Sequence, residues 1–159
     1  MRGTDRPLTE GERNLGRTIF GEHINYDAVQ VRKQKFFPLQ PVNTFMAPMG
    51  HLHIHPKTDK WRDDFSLADP GLQALFLHEL THVWQSQKRG RIYLLLMRHP
   101  FCRYQYPVQA GRKFEQYGLE QQAQIVQHLH LLRNGRGFSG APPRDQLESI
   151  LRFSSLWHG

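Results

Sequence analysis

Residues 75–85 read LFLHELTHVWQ, and whether His78, Glu79 and His82 lie on one helix decides the fold. Four residues at about 100° each return a helical side chain to within ~40° of its start, so His78 and His82 share a face. Asp69-Pro70 makes a helix start, an aspartate N-cap with proline at the first helical position. Gly90 makes a stop, so the pattern predicts a helix that runs to about Lys88. With His78 at 0°, Leu72, Phe76, Leu77, Leu80, Val83 and Trp84 fall on an arc from about 120° to 260°. The histidines lie opposite, with Thr81 and Gln85 beside them.

A core stripe behind and two imidazoles in front are what a metal helix needs. Neutral imidazoles bind zinc at ~2.0–2.1 Å, and an open coordination position holds water. Glu79, about 100° round from His78, sits at the edge of such a cleft. There it can act as the base that takes the water's proton. Short motifs of this kind also occur by chance, but a chance match usually lacks the cap, the stripe or a later acidic helix. A third ligand must come from elsewhere, and KFEQYGLEQQAQIVQ at 113–127 offers Glu115 and Glu120. A glutamate from a separate helix would make this a gluzincin-type zinc hydrolase.

The stretches LHELTHVWQ (77–85) and YGLEQQA (117–123) together resemble the small gluzincin-like metallopeptidases that include the bacterial Vgr-related proteins. They are similar to the metallopeptidase effector domain at the C-terminus of some type VI secretion spike proteins, and more distantly to peptidase domains of contractile injection systems. LTEGERNLGRTIFG (8–21) and APMGHLHIHP (47–56) fit as well, so the resemblance covers roughly residues 8–132. It implies a zincin-like fold, zinc-dependent peptide-bond hydrolysis, ligands His78, His82 and Glu120, and Glu79 as base. It further implies an antibacterial toxin acting in the periplasm of a rival cell, with a secretion carrier and a cognate immunity protein as partners. Two departures stand out. No spike domain is present in this chain, so delivery would need a separate carrier or excision from a longer protein. Gln124 also stands where gluzincins often place an acid four residues after the ligand glutamate.

The wheel bears on the third ligand too. With Glu120 at 0° on a helix extended back through Glu115, Leu119, Ile125, Val126, Leu129 and Leu132 occupy about 120° to 260°. Glu115 falls inside that arc and Glu120 opposite it, flanked by Gln116, Gln124 and Gln127, which favours Glu120. Gly118 is the weak point, since it can break the helix and free Glu115 from this phase.

Around these helices the pattern is α+β, mostly helical, with a small antiparallel sheet. Thr9 and Glu12 form a capping box for a helix ending at Gly21. The run from Ala28 to Val31 alternates as a strand. NTFMAPMGHLHIHP (43–56) reads as two short strands about a Pro-Met-Gly turn, with His51, His53 and His55 on one face and Leu52 and Ile54 on the other. That histidine row reads as a polar edge, or as the lining of a cleft where a peptide pairs with the strand. A second helical stretch covers about 91–97, and a helix from about Leu119 to Arg133 ends at Asn134-Gly135. The expected organisation is a metallopeptidase domain at 1–133, a linker at 134–144 and a tail helix within 145–159. Tyr104, Tyr106, His99 and His53 are candidates to contact substrate or the oxyanion.

Composition narrows the partners. With 159 residues, 38% hydrophobic content and 22% charge, the chain can bury a core in one domain. A net charge of +7 invites a polyanion, yet the basic residues are scattered and only RHPFCRYQYP (98–107) interleaves them with aromatics, so nucleic acid is a poor fit. Cys102 stands alone, which rules out an internal disulfide or a thiolate zinc site. The N-terminus has no apolar signal segment and IYLLLM (92–97) is too short to span a bilayer, so synthesis in the cytoplasm and export by another route are expected. A peptide or protein substrate, including a peptidoglycan stem peptide, fits the favoured chemistry. The competing readings are a non-catalytic zinc-binding adaptor of the secretion machinery and a basic nucleic-acid-binding module.

Overall fold

Thr9 opens the first helix, α1 (Glu10–Phe20), through a capping box. Its hydroxyl accepts from the Glu12 amide at 3.0 Å, and the Glu12 carboxylate accepts from the Thr9 amide at 2.9 Å. Gly21, at φ 52°, closes the helix in a conformation that favours glycine. These elements belong to a computed structural model that describes residues 5–94 and 104–152. The Glu12 side chain is fully buried, and it also accepts two bonds from the Arg6 guanidinium (2.9 and 2.8 Å) and one from the Phe65 amide (2.9 Å). One carboxylate thus fastens the N-terminal strand, α1 and the 3-10 turn Phe65–Leu67.

The sheet has three short strands, β1 (Arg6–Pro7), β2 (Gln30–Arg32) and β3 (Leu52–His53), in the order β1-β2-β3. The β1–β2 pair is antiparallel but β2–β3 is parallel, which corrects the expectation of an antiparallel sheet. The hairpin expected about Pro48-Met49-Gly50 shrinks to a single antiparallel bridge between Met46 and His53. Leu52 and His53 instead lie alongside Val31 and Arg32, because the loop between them returns the chain to run in the same direction. Buried Gln40 closes that loop, accepting from the Phe36 amide and donating to the Thr44 and His53 carbonyls.

The long helix α2 (Pro70–Arg89) starts as its cap predicts: the Asp69 carboxylate accepts from the Gly71 and Leu72 amides at 3.0 and 3.3 Å. Gly90 (φ 99°) ends it. The apolar arc packs as expected, but α2 is buried on every side from Phe76 to Ser86. Its polar face is not open to solvent, because α3 (Leu119–Arg133) lies across it. The two helices run antiparallel: the Gln85 side chain bonds the Leu119 carbonyl, while His130 reaches back to Gln73.

The final helix, α4 (Arg144–Arg152), returns to the same core, to which Leu147, Ile150 and Leu151 belong. Arg133 on α3 holds Glu148 on α4 through two bonds of 2.8 and 2.7 Å and also donates to the Thr18 carbonyl. Residues 134–144 therefore join two elements of one packed unit. Among the described residues no helix is long and apolar enough to cross a membrane. Of the stretch at 91–97, residues 91–94 are described, with Tyr93 and Leu94 helical, and 95–97 lie outside the described residues, as do His99 and Cys102.

Glu12→Ala should cost about 3 kcal/mol, because it leaves the Phe65 amide and the Arg6 guanidinium without their shared acceptor. Urea unfolding with an unchanged m-value would show this. A loss below about 1 kcal/mol would assign Glu12 the weight of a surface ion pair.

A buried histidine–histidine–glutamate centre

Two neighbouring turns of α2 and the first turn of α3 bring His78, His82 and Glu120 together. Glu120 Oε2 lies 3.4 Å from His78 Nε2 and 3.3 Å from His82 Nε2. One nitrogen or oxygen from each of the three lies within 4.8 Å of the others. All three side chains are buried, at 7%, 5% and 3% exposure, and the imidazoles meet edge to face with centroids 5.2 Å apart. Burial alone would raise the Glu120 pKa. Hydrogen bonds and charge interactions with His78 and His82 outweigh it and hold the carboxyl well below the ordinary carboxylate range.

Local sequence explains why Glu120 arrives there and Glu115 does not. Phe114–Gln116 forms a separate 3-10 turn with Phe114 buried, and Gly118 breaks the phase that the wheel had extended backwards. The Gln121 side chain accepts from the Gly118 amide at 2.8 Å and starts α3, so Glu120 stands in its first turn. Glu115 is half-buried in the preceding turn, outside the cluster. Gln116, expected beside Glu120, is spent on its own turn, accepting from the Lys113 amide. Glu79 follows His78 on α2 and is buried at 5% exposure, more deeply than a position at the mouth of a cleft.

Two residues of the centre's surroundings have a role that the sequence reading does not assign. Gln85, one turn after His82, places Oε1 2.8 Å from His82 Nδ1, and its Nε2 donates to the Leu119 carbonyl (2.9 Å) and to Gln122 Oε1 (2.8 Å). Gln122 in turn donates to the Phe114 and Tyr117 carbonyls at 3.2 and 2.9 Å. The wheel had put Gln85 beside the histidines; Gln122, on the rear of α3, carried no signal. Thr81 binds the Leu77 carbonyl of its own helix. His78 Nδ1 is buried with no hydrogen-bond partner.

The contact candidates disperse. Tyr106 is half-buried, its hydroxyl 2.5 Å from His128 Nδ1. Burial raises the Tyr106 pKa and lowers that of His128, to which the charge of nearby His78 adds. Tyr104 is exposed, and His99 lies outside the described residues. His53 sits in the sheet with its ring edge on Phe36, 5.2 Å between centroids. His53 and His55 are buried, so the row at 51–55 is not a solvated polar face. Nor is it a free docking edge: Met46 takes the outer side of β3 at His53, through bonds of 3.1 and 2.7 Å.

No protein-family profile matches the chain. The solved structure of the effector domain of Pseudomonas aeruginosa VgrG2b superimposes with a TM-score of 0.72 at 32% identity, over 91% of this chain and 80% of that one. The chain belongs to the VgrG2b effector-domain family. In the same organism the type VI secretion system spike protein VgrG2b is 35% identical over 146 residues, 87% of this chain. The chain spans 14% of that spike protein's length, so the family relationship concerns the effector domain.

His53 yields a prediction that separates it from the centre. Burial, with Arg32 and His51 nearby, pushes its imidazole down to about 4. The folded protein therefore favours the neutral ring, whose stabilisation is complete above the unfolded value near 6.5 and is lost as pH falls toward 4. Wild type should lose roughly 2–3 kcal/mol more than His53→Gln between pH 7 and 4. Parallel pH–stability curves for the two proteins would refute it.

Proposed function

We propose that this domain is a zinc metallopeptidase that acts as a type VI secretion effector. The observation that carries the reading is the convergence of His78, His82 and Glu120 next to Glu79. The donors suit zinc: three ligands at ~2.0–2.2 Å in a tetrahedron have their atoms about 3.4 Å apart, and the two nitrogen–oxygen separations are 3.4 and 3.3 Å. Two imidazoles and one carboxylate from two helices leave a fourth position, which a catalytic site keeps open. When bound there, zinc would lower the pKa of a water and polarise a peptide carbonyl.

The chain's own residues supply the rest. The Glu79 carboxylate takes a proton from the attacking water as the new carbon–oxygen bond forms. It then returns the proton to the departing amide nitrogen as the carbon–nitrogen bond breaks. Little exposure strengthens each of these electrostatic contacts. Of the candidates for the oxyanion, Tyr106 is the one whose hydroxyl meets α3, the helix that carries Glu120, through His128.

The family supports delivery: the relative is an effector domain of a secretion spike protein. A carrier, an immunity protein, and a target in the periplasm such as a peptidoglycan stem peptide follow as proposals from that kinship. A non-catalytic adaptor would keep the three ligands and have no use for Glu79, so that residue discriminates.

Purified protein should bind one zinc, and His78→Ala, His82→Ala and Glu120→Gln should each lose most of it by metal analysis. Glu79→Gln should keep the zinc while hydrolysis falls at least ~10²-fold, since an amide cannot accept the water's proton. Wild-type zinc content in His78→Ala or His82→Ala would refute the ligand set, and full activity in Glu79→Gln would remove it as base.

Export to the periplasm of a test bacterium should be toxic, and cytoplasmic expression much less so. Equal harmlessness in both compartments with zinc bound would favour the adaptor.

A further inference from the structure

The orientation of every amide between α3 and His82 follows from backbone carbonyls, which only accept hydrogen bonds. The carbonyls of Phe114 and Tyr117 face one terminal atom of Gln122, which must therefore be its nitrogen. The Gln122 oxygen then faces Gln85, whose own nitrogen donates to it and to the Leu119 carbonyl. What Gln85 presents to His82 Nδ1 at 2.8 Å is thus an oxygen. An amide oxygen cannot donate, so Nδ1 carries the hydrogen. The lone pair of the neutral ring is left on Nε2, the atom 3.3 Å from Glu120 Oε2.

We infer that Gln85, oriented by Gln122 and the carbonyls of residues 114, 117 and 119, is the positioning residue that fixes the tautomer of His82 and aims its Nε2 lone pair at the Glu120 carboxylate. The inference rests on the zinc reading for its purpose, though not for its geometry. In the neutral ring Nε2 and the carboxylate are two acceptors at 3.3 Å, so a proton or a metal cation belongs between them. The relay therefore holds half of a metal site ready before metal arrives. It also joins the ligand on α2 to the turn that starts α3 and places Glu120, so both ligands are set by one hydrogen-bonded unit. An amide fills the place usual for a carboxylate behind a ligand histidine and adds no negative charge. His78 provides an internal contrast, because its Nδ1 is buried without a partner.

The test compares wild type, Gln85→Met, which keeps the bulk and loses the acceptor, and Gln85→Glu, which restores an acceptor toward Nδ1. Nitrogen-15 spectra of the metal-free proteins near neutral pH report which ring nitrogen of His82 carries hydrogen, and zinc titration reports affinity. Wild type should show His82 with hydrogen on Nδ1. Gln85→Met, folded by circular dichroism, should shift toward hydrogen on Nε2 and bind zinc about 10–100-fold more weakly. Gln85→Glu should return His82 to the wild-type tautomer and recover part of the affinity. Hydrogen on Nε2 and none on Nδ1 in wild type, or a Gln85→Met protein unchanged in both readouts, would overturn the inference. If Gln85→Met does not fold, the wild-type spectrum still decides. The tautomer is read without metal, so failure of wild type to bind zinc refutes the zinc reading and leaves the role of Gln85 to be settled by the spectra.

Discussion

A carboxylate and two imidazoles held together between packed helices are the constraint that organises this domain. Burying a carboxylate is costly unless charge and hydrogen bonds meet it in the same place, and Glu120 meets both histidines at 3.3–3.4 Å. That convergence demands two helices in antiparallel register. One offers imidazoles on successive turns, and the other begins where its first turn faces them. The capping aspartate at 69, the break at Gly118 and the start of α3 at Leu119 all serve this register. The apolar arc of α2, packed through Phe76, Leu80 and Trp84 against the aromatic core, keeps the imidazoles from turning away. The sheet and α1 cover the remaining side.

Local physics made much of this legible in the sequence. Helix ends follow from caps and glycines, which act within four residues, so α1, α2 and α3 begin and stop where Thr9, Asp69, Gly90 and Asn134 place them. The facing of His78, His82 and Glu120 follows from helical period, which is equally local. The sheet was less legible because β3 has two residues, too few for alternation to declare a partner. Whether Leu52 pairs with a hairpin neighbour or with Val31 is decided by the loop that Gln40 closes. The histidine row misled for the same reason: alternation tells which residues share a face, not whether a face meets solvent. Gln122 was invisible because its bonds run to backbone carbonyls of a turn whose geometry only the folded chain supplies.

Burial of α2 on every side from Phe76 to Ser86 sets it apart from a helix at the surface of a cleft. A helix lining an open cleft needs only one apolar face, whereas here α3 covers the side that bears the histidines. The outer side of β3 at His53 is taken by Met46 and does not offer a strand to pair with.

Two buried glutamates show how structure and function separate in one small core. Glu12 accepts from an arginine fork and from the amides of Thr9 and Phe65. Those donors cannot give up their hydrogens near neutral pH, and they compensate the buried charge permanently. Glu120 is just as deeply buried, yet it meets imidazoles, which exist as donors or as lone pairs according to what stands behind them. Behind His82 stands an amide oxygen that holds a hydrogen on Nδ1, so Nε2 is the nitrogen at which a proton or a metal is exchanged. A core selected only for stability would treat both carboxylates as it treats Glu12. Holding the second one against imidazoles leaves its compensation exchangeable, because the proton on a ring nitrogen can be given up where an arginine's cannot.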